Sequence, residues 1–174
     1  MKIESLETYP TAIDRDEVFK IATGSALTTE NVIVKVKGEG EVGWGNASPN
    51  SVTQETTESV LKAISKMKQN LVGKDVDIED FWRKTREELP KDRAALAGVD
   101  IALHDLKAKL EGKRIFEMFD GREKGVLTDR TIGIMSMKET VEHARKYIEE
   151  GFKALKIKRS EEHTSELQSP SAIS

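Results

Sequence analysis

The sequence predicts an α+β fold: a three-stranded antiparallel meander with a helical bundle, followed by the opening of a parallel α/β layer. Three observations carry this. β-Branched residues cluster in short runs up to Pro49, apolar residues take up helical spacing from Val60 to Gly112, and beyond Gly121 one strand–helix–strand pattern appears.

The first strand candidate is "KIESLETY", residues 2–9, whose apolar spacing of three fits strict alternation poorly and which Pro10 bounds. Residues 10–29 follow; their later part, "IATGSALTT", is small and polar and reads as a mobile loop. "ENVIVKVKG" is a strand rich in β-branched residues, and Gly38-Glu39-Gly40 turns it into the glycine-punctuated strand "EVGWGNA", giving a hairpin. Val60, Ile64, Met67 and Leu71 then form a helical stripe closed by Gly73. "DIEDFWRKTREEL" is a shorter amphipathic helix, with Asp77 as its N-cap and Pro90 beyond its end. In "DRAALAGVDIALHDLKAKLEGK", Ala95, Val99, Ala102, Leu103, Leu106 and Leu110 share one face; the alanine-rich start predicts close packing against other helices. "VLTDRTIGI" and "FKALKIK" are strands flanking the helix "SMKETVEHARKYIEEG", whose Ser136 and Glu139 form a capping box. That unit implies two parallel strands joined by a crossover helix. One such unit cannot bury both of its faces, so a larger layer is expected.

Composition bounds the function. The 174 residues are 37% hydrophobic and 34% charged, which suits a modest core under a charged surface. A net charge of -3 gives no basic footprint for nucleic acid. The absence of cysteine excludes disulfides, thiolate zinc sites and cysteine nucleophiles. No apolar run approaches membrane-spanning length and the N-terminus lacks a signal-type apolar region, so a cytoplasmic protein without membrane contact is expected.

The last sixteen residues stand apart. "RSEEHTSELQS" matches, letter for letter, a reading frame of a widely used short-read sequencing adapter, and "PSAIS" fits its index and constant segment. Residues 159–174 are therefore expected to be a non-native, disordered tail, with Lys158 the last genuine residue of a fragment.

Five features in order, "ENVIVKV", "GWGNASP", "AALAGVDIALHDLKAKLEGK", "TDRTIGI" and "ALKIK", resemble the N-terminal part of the enolase superfamily. The resemblance is to the muconate-lactonizing-enzyme subgroup, and within it to dipeptide epimerases of the L-Ala-D/L-Glu type. It implies an α+β capping domain over residues 1–120 and the truncated start of a (β/α) TIM-type barrel over 121–158. A complete barrel takes about 250 residues.

The family's chemistry is removal of the α-proton of a carboxylate substrate. Mg2+ on three carboxylates stabilises the enediolate, and a lysine takes the proton. The resemblance makes Lys158 the acid/base and Lys156 an aid in holding the substrate carboxylate. Residues two apart in a strand share a face, so both ammoniums would enter the barrel mouth together, and their repulsion would favour the neutral amine. Thr131 matches a threonine at the end of the first barrel strand, and Thr23, Gly24 and Ser25 match the lid that closes over substrate. No metal ligand is assigned within this chain; the resemblance puts all three carboxylates, and the second base for racemisation, on later barrel strands.

Two residues depart from the pattern. Gly24 stands where some epimerases have an arginine, which weighs against an acidic second residue in the dipeptide, and Asn46 replaces the glutamate of the usual "GWGEA". The parent is thus expected to be a magnesium-dependent isomerase acting on a small dipeptide as a homo-oligomer, and this fragment to be inactive. Alternatives are o-succinylbenzoate synthesis, muconate cycloisomerisation, or a non-catalytic folding or binding module. "DVDIED" reads as an acidic helix cap rather than a calcium loop, His104 as a structural hydrogen-bonding residue, His143 as exposed, and Trp44 and Trp82 as core or interface residues.

Overall fold

The computed structural model describes residues 1–21 and 24–158. The chain forms two compact units: Met1–Ile13 with Glu30–Glu123, and Asp14–Thr29 with the segment from Lys124 onward.

The first unit is built on a three-stranded sheet in the order β1 (Ser5–Ile21), β2 (Gly24–Gly38), β3 (Glu41–Ala47). β2 and β3 pair antiparallel, from Val32↔Ala47 to Gly38↔Glu41. The two-residue turn between them places Glu39 at φ 51° and Gly40 at φ 87°, the left-handed pair that matches strand twist. The non-glycine member is held in place: its carboxylate accepts the Lys2 amide at 2.7 Å.

The irregular spacing of the N-terminal segment now has a reason. Ile3 precedes β1 and is anchored by its own ladder to the turn after α1, donating to the Lys74 carbonyl at 3.1 Å and accepting from Gly73 at 2.8 Å. Leu6 points into the core, and Tyr9, an odd number of residues further on, lies on the outer face. The loop expected over residues 21–29 is not observed, since β1 continues to Ile21 and β2 begins at Gly24. Cross-strand bonds hold the extension together, Thr28 to Asp14 at 3.0 Å and Thr11 to the Asn31 carbonyl at 3.3 Å. Serine and threonine suit such a ladder as well as they suit a loop, which is why composition alone misjudged it.

Three helices cover the inner face: α1 (Thr57–Leu71), α2 (Ile78–Glu88) and α3 (Arg93–Leu110). The stripe Val60, Ile64, Met67, Leu71 is buried throughout and meets Val32, Val34 and Val36 of the sheet in one cluster. Each such side chain removed from water contributes on the order of 1.5–3 kcal/mol. Asp77 caps α2 through the Asp80 amide at 2.8 Å, as its spacing predicts.

Helix α3 meets α1 and α2, as its alanine-rich start leads one to expect, and its small residues also pack closely on the sheet. Gly43 and Gly45 of β3 face Gly98 and Ala102 of α3 so closely that a β-carbon on Gly43 would lie 2.1 Å from the Ala102 carbonyl oxygen. The glycines of "GWG" and the alanines of α3 are two halves of one close approach. Trp44, between those glycines, therefore points outward; it is 46% exposed and stacks at 6.5 Å on Tyr9 with Lys35 above its ring. A short α4 (Ile115–Met118), absent from the sequence reading, follows.

In the second unit, β4 (Asp129–Ile132) and β5 (Ala154–Ile157) pair in parallel around α5 (Met137–Glu149). Among the described residues no helix is long and apolar enough to cross a membrane. The tail over residues 159–174, and Thr23, lie outside the described residues.

Candidate functional site

The parallel register decides which side chains share a surface. Thr131 stands opposite Lys156 and Ile132 opposite Ile157, while the Lys158 amide extends the ladder by donating to the Ile132 carbonyl at 2.9 Å. Directly opposed residues in a parallel pair project to the same side, and neighbours along a strand alternate.

The α5 side is identified by its contacts. The Arg130 guanidinium lies 5.0 Å from the Tyr147 ring and 5.9 Å from Phe152, the two rings meet edge-on, and Ile132 is fully buried. Arg130 and Ile132 thus face the helix, so Thr131, Lys156 and Lys158 project from the opposite side. Thr131 and Lys158 are half-buried and Lys156 is exposed. Among the described residues neither ammonium is engaged in an ion pair. Two ammoniums, one exposed and one half-buried, with a hydroxyl beside them can receive a carboxylate.

The helix behind this surface is fixed by its cap. Ser136 accepts the Glu139 amide, and Glu139 returns bonds to the Ser136 hydroxyl at 2.6 Å and amide at 2.9 Å. The Ser136 hydroxyl, and then its amide, hold the Glu139 carboxyl below the usual carboxylate range.

Gly24 and Ser25, from the candidate lid, open β2 and belong to the same compact unit as the lysine-bearing pair. Asn46 sits on the outer face of β3 and donates to the Asn31 side chain at 3.3 Å.

The described residues contain no group of three His, Asp or Glu side chains able to hold a metal ion, so magnesium finds no fitting site among them. Two of the acids of "DVDIED" are committed locally. Asp77 caps α2, and Asp80 bonds Arg83 and Lys84, each at 2.6 Å. The Lys84 bond is the chief reason its carboxyl sits below the ordinary range.

A second concavity, of about 740 Å³, opens between α2, α3 and α4, with Trp82, Asp100, His104 and Phe119 in its wall. His104 shares a hydrogen on Nδ1 with the Asp100 carbonyl at 3.0 Å, the fixed structural role the sequence suggests; Asp105 is instead taken by Lys109 and the Trp44 amide. Desolvation raises the Asp100 carboxyl above its ordinary value, with His104 opposing. The lysine pair does not line this groove.

One buried acid escaped sequence reasoning. Glu55 is 8% exposed and its Oε1 accepts the Ala94 amide at 2.8 Å. Its partner is 39 residues away, so no local signal marks it.

The family described as "Mandelate racemase / muconate lactonizing enzyme, N-terminal domain" matches residues 6–119. The chain belongs to the mandelate racemase/muconate lactonizing enzyme family. Relatives in this family include the L-Ala-D/L-Glu epimerase of Bacillus subtilis, 34% identical over 91% of this chain and 44% of its own length. The L-Lys-D/L-Arg epimerase of Methylococcus capsulatus is 33% identical over 91% of this chain and 46% of its own length. Among solved structures, a substrate-liganded complex of the Bacillus subtilis epimerase superposes with a TM-score of 0.87 at 33% identity, covering 91% of this chain and 45% of that one. The Enterococcus faecalis V583 dipeptide epimerase, complexed with Mg and the dipeptide L-Leu-L-Tyr, superposes at 0.86 with 30% identity, covering 91% and 46%. The three-stranded sheet and helices of this chain are thus those of the family's N-terminal domain, and the chain spans less than half the length of these relatives.

Proposed function

We propose that this chain is the N-terminal portion of a magnesium-dependent dipeptide epimerase, an isomerase catalysing 1,1-proton transfer at the α-carbon of a dipeptide. Residues 1–120 form the cap, 121–158 the first β-α-β unit of a TIM-type barrel, and 159–174 are foreign to it. The observation that carries the reading is the shared face of Thr131, Lys156 and Lys158, fixed by the β4–β5 register.

The family resemblance supplies the roles, and that shared face is compatible with them. Lys158, half-buried, takes the α-proton; Lys156, more exposed and one pleat earlier, draws the substrate carboxylate; Thr131 lies beside Lys156 as a hydrogen-bonding partner. Thr23, Gly24 and Ser25 contribute to the lid over the dipeptide. Lys156 and Lys158 approach a substrate from one side only, so they cannot both flank its α-carbon. The base that returns the proton to the other face, and the carboxylates for magnesium, belong to other parts of the parent protein. The similarity to dipeptide epimerases favours this chemistry over the lyase and cycloisomerase reactions of the subgroup.

The test is to join residues 1–158 to the genomic continuation and follow exchange of the dipeptide α-proton in deuterated water with magnesium present. Exchange accompanied by epimerisation supports the reading. A continuation without acidic residues at its strand ends, or one that leaves the α-proton in place, overturns it.

A further inference from the structure

We propose that Glu55 is a latch that couples the Asn50–Gln54 turn to the N-terminus of α3, so that the two segments open together.

Helix α3 lacks a cap of its own. Asp92, at its N-cap position, makes no side-chain bond, and its first turn contains no acidic residue. Its first amides and the positive end of its dipole require an acceptor. Glu55 supplies it across 39 residues, with Oε1 on the Ala94 amide at 2.8 Å.

The other end of the latch is the turn. The Glu55 amide donates to the Asn50 carbonyl at 3.2 Å, closing the loop. Inside it, Asn50 Oδ1 accepts the Val52 and Thr53 amides at 3.0 and 3.1 Å, and Gln54 donates to the Ser51 carbonyl at 3.3 Å. Gln54 is held at φ 58°, a left-handed conformation that costs a non-glycine residue and persists only where its surroundings impose it. Val52 at the tip is 79% exposed, so packing does not impose it. The constraints are the turn's own hydrogen bonds and the buried Glu55 next to Gln54.

That burial carries a cost. Glu55 Oε2 is buried without a hydrogen-bonding partner among the described residues. A half-satisfied buried carboxylate is a poor choice for stability alone. It is a good choice for a contact whose loss releases two segments at once, because the freed carboxylate gains solvation when it leaves.

Neither the lysine pair nor the proposed reaction enters this coupling, so its failure would leave the functional reading untouched. The test is amide hydrogen exchange on the 174-residue chain, resolved by residue. In Glu55→Ala, the amides of Val52, Thr53 and Gln54 and that of Ala94 are expected to exchange at least about tenfold faster together. Those of β3 and the interior of α1 should hold their rates. Asn50→Ala leaves Glu55 intact and weakens only the turn; by reciprocity it should also speed exchange at Ala94. The latch is overturned if Asn50→Ala leaves Ala94 at its original rate, if Glu55→Ala frays α3 without loosening the turn, or if exchange rises uniformly through β3 and α1.

Discussion

Gly45 and Gly98 meet backbone to backbone where β3 crosses α3: a β-carbon on Gly45 would fall 2.0 Å from the Gly98 carbonyl oxygen. Gly98 is crowded by the next inward residue of the same strand, since a β-carbon on it would lie 2.7 Å from that of Ala47. Helix α3 and strand β3 therefore approach at a distance only hydrogen side chains permit. Gly45→Ala and Gly98→Ala should each destabilise the fold, at or above the upper end of the about 1–3 kcal/mol typical of overpacked cores. Gly40→Ala is the contrasting case. Nothing lies within 4 Å of a β-carbon there, but φ is +87°, so only a conformational cost of about 1–2 kcal/mol applies. Urea denaturation of the three variants measures the difference, and equal losses at positions 40 and 45 would rule out the close approach as the cause.

The capping box of α5 makes a second prediction. Ser136→Ala removes the acceptor of the Glu139 amide and should cost about 1 kcal/mol of helix stability. The pH dependence follows from Glu139, whose carboxyl is held below its ordinary value of 4.5 chiefly by the Ser136 hydroxyl. An acid with a lowered folded pKa stabilises the fold above its unfolded value, and that contribution is lost as pH falls through the folded one. Below pH 4.5, α5 in the wild type should therefore lose helicity progressively, and Ser136→Ala should flatten that slope. Residue-resolved chemical shifts of Lys138–Thr140 during an acid titration report both effects.

The sequence makes the helices and their caps plain because their signals are local. Val60 to Leu71 recur with the helical period, and Asp77 and Ser136 each lie three residues from the amide they accept. That Lys156 and Lys158 share a face follows from alternation in a short strand, whereas their alignment with Thr131 comes only from the β4–β5 register. What sequence hid was non-local. Residues 21–29 look like a loop because serine, threonine and glycine serve loops and hairpins equally; only pairing with a second strand separates the cases. The alanines of α3 announce its packing on other helices, but not that Gly98 and Ala102 also meet the glycines of β3. Glu55 could not be found at all, because the amide it serves belongs to a helix that starts 38 residues later.

Asp100 provides a prediction of opposite sign. Burial raises its carboxyl above the ordinary 3.8, against the smaller pull of His104. An acid with a raised folded pKa favours the fold most when protonated, and that contribution is lost as pH rises from 3.8 through the folded value. Asp100→Asn keeps the shape and removes the charge. Its stability relative to wild type should increase as pH rises out of the acid range, while the His104 bond to the residue-100 carbonyl is retained. Urea midpoints for both proteins between about pH 3 and pH 7 test this, and a constant difference across that range would refute it.

The lysines carry the last prediction, made on the full-length parent. Lys158→Met removes the proposed proton acceptor and should lower kcat for epimerisation by roughly 10²–10⁴-fold. Solvent deuterium should then no longer enter the substrate epimer whose α-proton faces β5. Lys156→Met removes a carboxylate contact from the same surface, so its larger effect should be on KM. The two are separable because the pleat puts both ammoniums on one face but at different depths, Lys158 half-buried and Lys156 exposed. An inversion of these effects, with Lys156→Met abolishing exchange and Lys158→Met raising only KM, would reassign the base by one pleat. The 174-residue chain itself should leave L-Ala-L-Glu unchanged with magnesium present. Its lysines reach one side of an α-carbon, and epimerisation needs a proton delivered to the other.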